Sequence, residues 1–166
     1  FKITQGTDLN WWKIKAENLT GLVRWQGDRL CLTNLNADFY DGNLNGWAQF
    51  DFKEKGSSDF QFDARFQDCS LSPFAASFSN NKTNNLDGKL SGQLLILSAN
   101  TADWDSWRGY SSVSITNGLI WDIPLFGIFS DMLNSLSPGL GNSRADQGGG
   151  TFRITNSVIW TDDMLI

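Results

Sequence analysis

GYSSVSITNGLIWDIPLFGIFSDMLNSL, residues 109–136, is the stretch around which the rest of the chain is organised. Val113 and Ile115 alternate with polar neighbours. Asn117-Gly118 is a turn signal, because both residues tolerate positive φ, and Leu119, Trp121 and Ile123 resume the alternation. Pro124 then suits the first turn of a helix, where its missing N–H costs nothing. Behind it Leu125, Ile128, Phe129, Met132, Leu133 and Leu136 recur at helical spacing, with Ser130, Asp131, Asn134 and Ser135 on the other side. The pattern predicts strand, turn, strand and one amphipathic helix over about 124–136. Burying six such side chains, at roughly 1.5–3 kcal/mol each, is worth about 10 kcal/mol, which rivals the net stability of a typical domain. The stripe must lie on an apolar surface, and the nearest is the sheet that delivers it.

That sheet is legible upstream. Leu30 to Tyr40 reads as a strand whose parity slips at Thr33-Asn34, which predicts a β-bulge near Asn34. Asp41-Gly42-Asn43 reads as a hairpin turn. Leu44 to Phe52 follows, with Leu44, Ala48, Phe50 and Phe52 on one face and Asn43, Asn45, Trp47, Gln49 and Asp51 on the other. After a polar turn at 53–58, Asp59 to Gln67 alternates most cleanly: Phe60, Phe62, Ala64 and Phe66 against Gln61, Asp63, Arg65 and Gln67. Such strands belong to an antiparallel sheet with one dry and one wet face. A short helix is expected over about 72–78, with Ser72 as N-cap and Pro73 in its first turn. Residues 79–85 read as a loop. Leu86 to Leu97 is a further strand, its dry face carrying Leu86, Gly88, Leu90, Gly92, Leu94 and Ile96, the two glycines leaving room for a bend or a close neighbour. Residues 100–108, with Trp104 and Trp107, read as a turn-rich connection, and 137–150, SPGLGNSRADQGGG, as a mobile loop. Residues 1–29 hold three short apolar patches that read as edge strands or strand-loop segments. ITNGLIW at 115–121 returns as ITNSVIW at 154–160, which predicts equivalent roles at neighbouring places in one sheet or a chance likeness of two hairpins.

Composition removes several function classes. The 166 residues suffice for one domain with a core, and no apolar run is long enough to span a bilayer. The chain opens without Met and stops at DDMLI, a strand just starting, so it reads as an excerpt of a longer protein. The net charge is −5 with no Lys/Arg cluster, which argues against nucleic acid and against anionic membrane surfaces. There is no histidine, hence no Ser-His or Cys-His arrangement. Cys31 and Cys69 are too few for a zinc site and are either one disulfide or two inert thiols. DGNLNG at 41–46 opens like a calcium loop, but Phe52 stands where the bidentate Glu belongs, so turn chemistry is the better reading. Asp103 with Asp105, and Asp162 with Asp163, are sequence neighbours, which rarely face each other across a hydrolytic cleft; Asp59 and Asp63 read as solvated. No catalytic residue, metal or cofactor is expected.

Two binding readings remain. Trp47, one of eight tryptophans, shares parity with polar residues, and an exposed Trp suits sugar stacking; this alternative is an extracytoplasmic carbohydrate-binding β-sandwich module. Trp121 and Trp160 fall on apolar parity and read as core. The other reading starts from the dry face. Roughly eight strands at ~4.8 Å make a sheet some 35–40 Å wide, whereas a helix about 18 Å long and 10 Å across covers two or three strands. The remainder must close on itself or hold an apolar ligand.

Three stretches resemble the C-terminal region of the AsmA family of bacterial envelope proteins, relatives of TamB. They are LCLTNLNADFYDGNLNGWAQFD at 30–51; 86–136, with Gly88, Leu90 and Gly92, a Trp-Arg-Gly approach and GYSSVSITNGLIWDIP; and 151–166, where Ser157 replaces the family's usual Gly. The resemblance implies a curved, taco-like antiparallel sheet, an open barrel or half-barrel, as a single domain over 1–166. It also implies a periplasmic, non-enzymatic protein, anchored in the inner membrane through chain outside this stretch. Such a protein acts in phospholipid transport toward the outer membrane, or in its assembly with other envelope proteins. Phe60, Phe62, Phe66, Leu90, Leu94, Ile96, Leu44 and Phe50 would then line a lipid groove, capped by the helix bearing Leu125, Ile128, Phe129, Met132, Leu133 and Leu136.

Overall fold

The computed structural model describes residues 2–11, 14–53, 56–78, 87–118 and 145–165. Nine strands follow one another: β1 (Lys2–Trp11), β2 (Ile14–Gln26), β3 (Arg29–Phe39), β4 (Gly42–Phe52), β5 (Ser58–Ser70), β6 (Lys89–Asn100), β7 (Asp103–Gly118), β8 (Ala145–Thr155) and β9 (Val158–Trp160). One helix, α1 (Leu71–Phe78), stands between β5 and β6. The strands lie in the sheet in the order of the chain, every pair antiparallel, and the sheet is not closed. All nine join this one sheet, so among the described residues there is no second sheet to pack on it as a sandwich.

Alternation decides which side chains share a face. Leu44 pairs with Phe66, Ala48 with Phe62 and Phe50 with Phe60 on one face; Trp47 pairs with Asp63 and Asp51 with Asp59 on the other. The slip at Thr33-Asn34 is a bulge: the β3–β4 register shifts between Leu32 and Leu35, and Asn34 has φ 53°. Asn18 in β2 and Asp68 in β5 take the same conformation, at φ 52° and 55°, where the β2–β3 and β5–β6 registers shift. Asn and Asp tolerate this left-handed region best among residues with a side chain. Each inserts one residue and bends its strand.

Several expectations shift on contact with the pairing. The β3–β4 turn is Tyr40-Asp41, both at positive φ, one residue before the expected Asp41-Gly42-Asn43; Gly42 already pairs with Phe39. Gly42 is needed for proximity, since a Cβ there would collide with the Gln67 carbonyl. Gly92 likewise leaves room for the Phe66 ring, whose Cζ would lie 2.8 Å from an added Cβ. Within the stretch read as patches, two long strands form, Lys2–Trp11 and Ile14–Gln26. The 100–108 connection shrinks to Thr101-Ala102, because β7 starts at Asp103. At Asn117-Gly118, β7 runs on to Gly118, which pairs with Ala145, and Asn117 takes the positive φ (56°) that the turn signal rests on; the residues from 119 to 144 lie outside the described ones. The loop expected to 150 gives way at Ala145, where the ladder to β7 orders a glycine-rich strand. Gly149 also exchanges backbone hydrogen bonds with Leu165, at 3.0 and 2.8 Å. The second repeat copy makes the β8–β9 hairpin around Asn156-Ser157. The rest of the first copy, the helix expected over 124–136 with all six of its apolar residues, and Trp121 lie outside the described residues.

The core sits at one end of the dry face, under α1. Leu71 and Ala75 are 0% exposed and pack with Ala16, Ala37, Phe39, Cys69, Leu90 and Ile115. The helix begins at Leu71, whose N–H donates to the Gly88 carbonyl at 3.0 Å, so Ser72 is inside it and not the expected cap. The β3–β4 turn locks onto it. The Tyr40 ring meets Phe74 edge-on at 5.4 Å, and its hydroxyl donates to Ser77 Oγ at 2.9 Å. Cys69 is buried here, while Cys31 lies opposite Gln49 on the other face, so the two thiols are free. Burial pushes the Cys69 thiol pKa up.

Leu71→Ala should cost about 2–5 kcal/mol in urea unfolding, because it opens a cavity between α1 and the sheet. Ser72→Ala should fall within about 0.5 kcal/mol, as expected of an exposed site that is no cap.

Candidate functional site

The dry face continues well beyond α1. From the helix toward the opposite end it carries Leu44 with Phe66, then Ala64 with Leu94, Ala48 with Phe62 and Ile96, and finally Phe50 with Phe60. All eight sheet residues expected to line a groove therefore share one face. They are not equivalent. Leu90 belongs to the closed core under α1 and Ile96 is fully buried in the sheet, whereas Leu44, Phe50, Phe60, Phe62, Phe66 and Leu94 stay partly exposed. The rings pave the surface side by side: Phe50 and Phe60 stack at 6.1 Å, and Phe60 and Phe62 at 6.3 Å with their planes 7° apart. These contacts join neighbours within the sheet.

The end away from α1 is an aromatic rim that the sequence reading missed. Trp25 stacks on Phe52 at 5.6 Å; Trp104 stacks on Trp107 at 4.7 Å, and Trp107 meets Phe60 edge-on at 5.3 Å. Trp25 and Trp104 are exposed. Continuing the alternation of β7 back past Gly109 would have placed Trp107 beside Phe60.

Charge is kept off this face. The three ion pairs are Arg29–Asp51 (2.6 Å), Lys53–Asp59 (2.9 Å) and Arg65–Asp63 (2.8 Å) among the described residues, and their strand positions lie on the wet face or at its edge. Asp63 departs from its expected solvation: it is 7% exposed, accepting from Arg65 Nη2 and from Gln93 Nε2 at 2.6 Å. Arg29 and Gln49 donate to the Asp51 carboxylate and hold its pKa below the usual Asp range; Asn100 and Lys53 do the same for Asp59. Asp163 is lowered by the Thr151 N–H and hydroxyl, at 2.7 and 2.8 Å, which pin the segment after β9 to β8. Asp105 accepts from Ser157 at 2.6 Å across the β7–β9 end of the sheet.

The other candidates resolve locally. Asp41 lies in the hairpin turn and Asn43 and Asn45 on β4, so the calcium-like stretch is a turn and a strand. Among the described residues no three Cys, Asp or Glu side chains gather as a metal site. Trp160, expected in the core, is 54% exposed, because β9 is a three-residue strand at the sheet edge with all three side chains open. No family model matches the chain, no curated protein matches it, and no solved structure matches it.

Because folding lowers the pKa of Asp51, Asp59 and Asp163, the unfolded chain binds more protons in acid. Their contribution to stability is present above the ordinary Asp range and is lost as pH falls through the lowered folded values. Urea midpoints measured between about pH 5 and pH 2 should fall, and the double variant Asp51→Asn, Asp59→Asn should flatten that limb. An unchanged acid limb in the variant would assign the loss to other groups.

Proposed function

We propose that this chain is an AsmA-like region of a bacterial envelope protein that holds phospholipid acyl chains against its apolar sheet face. On this reading the sheet curves like a taco, an open half-barrel. It works in the periplasm, held at the inner membrane by parts of the protein outside this stretch, and moves lipid toward the outer membrane or serves its assembly. Its activity is carriage and needs no catalytic group.

The observation that carries the reading is the uncharged, partly exposed pavement of Phe50, Phe60, Phe62, Phe66, Leu44 and Leu94, with α1 filling only one end. Apolar surface of this extent is unfavourable in water unless something apolar lies on it. Its size suits one acyl chain. Phe60 to Phe66 spans about 20 Å at ~3.3 Å per residue, whereas one leaflet's hydrocarbon is about half of ~30 Å. Each CH₂ removed from water is worth about 0.8 kcal/mol, so a dozen outweigh the ordering of one chain. The bulges at Asn18, Asn34 and Asp68 supply bending where a curved trough needs it. Among the described residues no helix is long and apolar enough to cross a membrane.

Incubated with vesicles of phosphatidylethanolamine and phosphatidylglycerol, re-isolated and examined by native mass spectrometry, the chain should retain phospholipid. The double variant Phe60→Asp, Phe62→Asp should lose it, and Gln61→Asp on the other face should keep it. A wild-type chain without lipid, or equal retention by all three proteins, would overturn the proposal.

A further inference from the structure

The wet face has an order of its own, which the lipid reading does not use. Following the register strand by strand, Trp47 pairs with Asp63, Asp63 with Leu95, Leu95 with Tyr110, Tyr110 with Arg153 and Arg153 with Trp160. This is one continuous row from β4 to β9. Five strand steps of ~4.8 Å give it a length of about 24 Å. Its three aromatic residues are 36%, 53% and 54% exposed.

A second row runs beside it: Thr20, Asn36, Asn45, Arg65, Gln93, Ser112 and Thr151, again direct partners across adjacent strands. Every member carries hydrogen-bonding groups. Two shallow hollows open along the rows. One of about 620 Å³ lies between Trp47, Asn36, Asn45 and Arg65; the other, of about 380 Å³, lies between Gln93, Tyr110, Arg153 and Trp160. Two of these polar groups, Arg65 and Gln93, are already held in place, since buried Asp63 accepts from both. Little rotamer freedom is left to lose on binding there.

We propose that this face binds an extended, uncharged oligosaccharide lying across the strands. Flat aromatic faces take the C–H faces of sugar rings, and the amide, hydroxyl and guanidinium groups alongside take their hydroxyls, directly or through water. The occupant follows by chemistry. A protein partner needs a dry apolar centre, and here Asp63 and Arg153 interrupt the aromatic row. A polyanion needs a cluster of cations, and the row pairs one Asp with one Arg on a chain of net charge −5. Acyl chains belong to the opposite face. Trp47 is the residue on which the sequence-level carbohydrate reading turned. Tyr110 and Trp160 enter only through the pairing, on a single sheet.

Titration of the wild-type chain with chitohexaose and with cellohexaose tests this directly. At least one should bind saturably, and ¹H–¹⁵N spectra of the unsubstituted protein should shift at the Trp47 and Trp160 indoles and along β6–β8. Trp47→Ala, Tyr110→Ala and Trp160→Ala should each weaken binding by about fivefold or more. Trp25→Ala, on the apolar face, should leave it unchanged. No saturable binding of either probe, or shifts confined to the Phe60–Phe62 face, would overturn the proposal. Because the faces are opposite, phospholipid retention is an independent readout.

Discussion

A one-layer sheet with a largely apolar side is under a physical demand that its hydrogen bonds cannot meet. The ladders join all nine strands, but they do nothing for Phe60, Phe62 or Phe50. Those rings need contact with something other than water, and the remaining architecture can be understood from where that contact is and is not supplied. At one end α1 supplies it: Leu71 and Ala75 vanish from solvent and draw Phe39, Cys69, Leu90 and Ile115 with them. A helix of eight residues is about 12 Å long, and a sheet of nine strands is about 38 Å across, so the greater part lies beyond its reach.

The two faces thereby divide the chemistry. All three ion pairs and the hydrogen-bonded trio Asp63, Arg65 and Gln93 sit on one side, and the aromatic pavement on the other. A strand makes this separation automatically, because successive residues point oppositely. The bulges preserve it. At Asn34 the parity of β3 changes, and the register of β3 against β4 changes with it, so Leu30 and Leu32 remain on the same face as Leu35 and Ala37. Without the inserted residue, half of that strand would turn its leucines to the wet side.

How much of this was readable before any coordinates follows from the range of the forces involved. The faces of β4 and β5, and the bulge at Asn34, are local facts of alternation, so residues 30–67 could be read almost directly. The eight sheet residues of the candidate groove share a face for the same reason. Pairing is not local, and what depends on it was missed. Trp160 has core parity yet is open, because being at an edge is a property of neighbours. Asp63 looks like any wet-face acid until Gln93, thirty residues on, closes over it. The glycines at 148–150 resemble a loop until β7 on one side and Leu165 on the other supply the order their missing side chains cannot. The Trp47–Trp160 row is invisible for the same reason: its members lie 113 residues apart and meet only through five successive registers.

The sequential strand order has a consequence for how such a sheet is altered over time. Each strand finds its partners next to it in the chain, so none of the described strands is threaded between two others. A hairpin gained or lost by duplication or deletion within the meander would leave the remaining pairings intact, at a loop-closure cost that grows only with the logarithm of length. The width of both surfaces is therefore a heritable dimension that changes in steps of two strands, about 10 Å at a time. Natural selection acting on ligand length has a simple variable to work with.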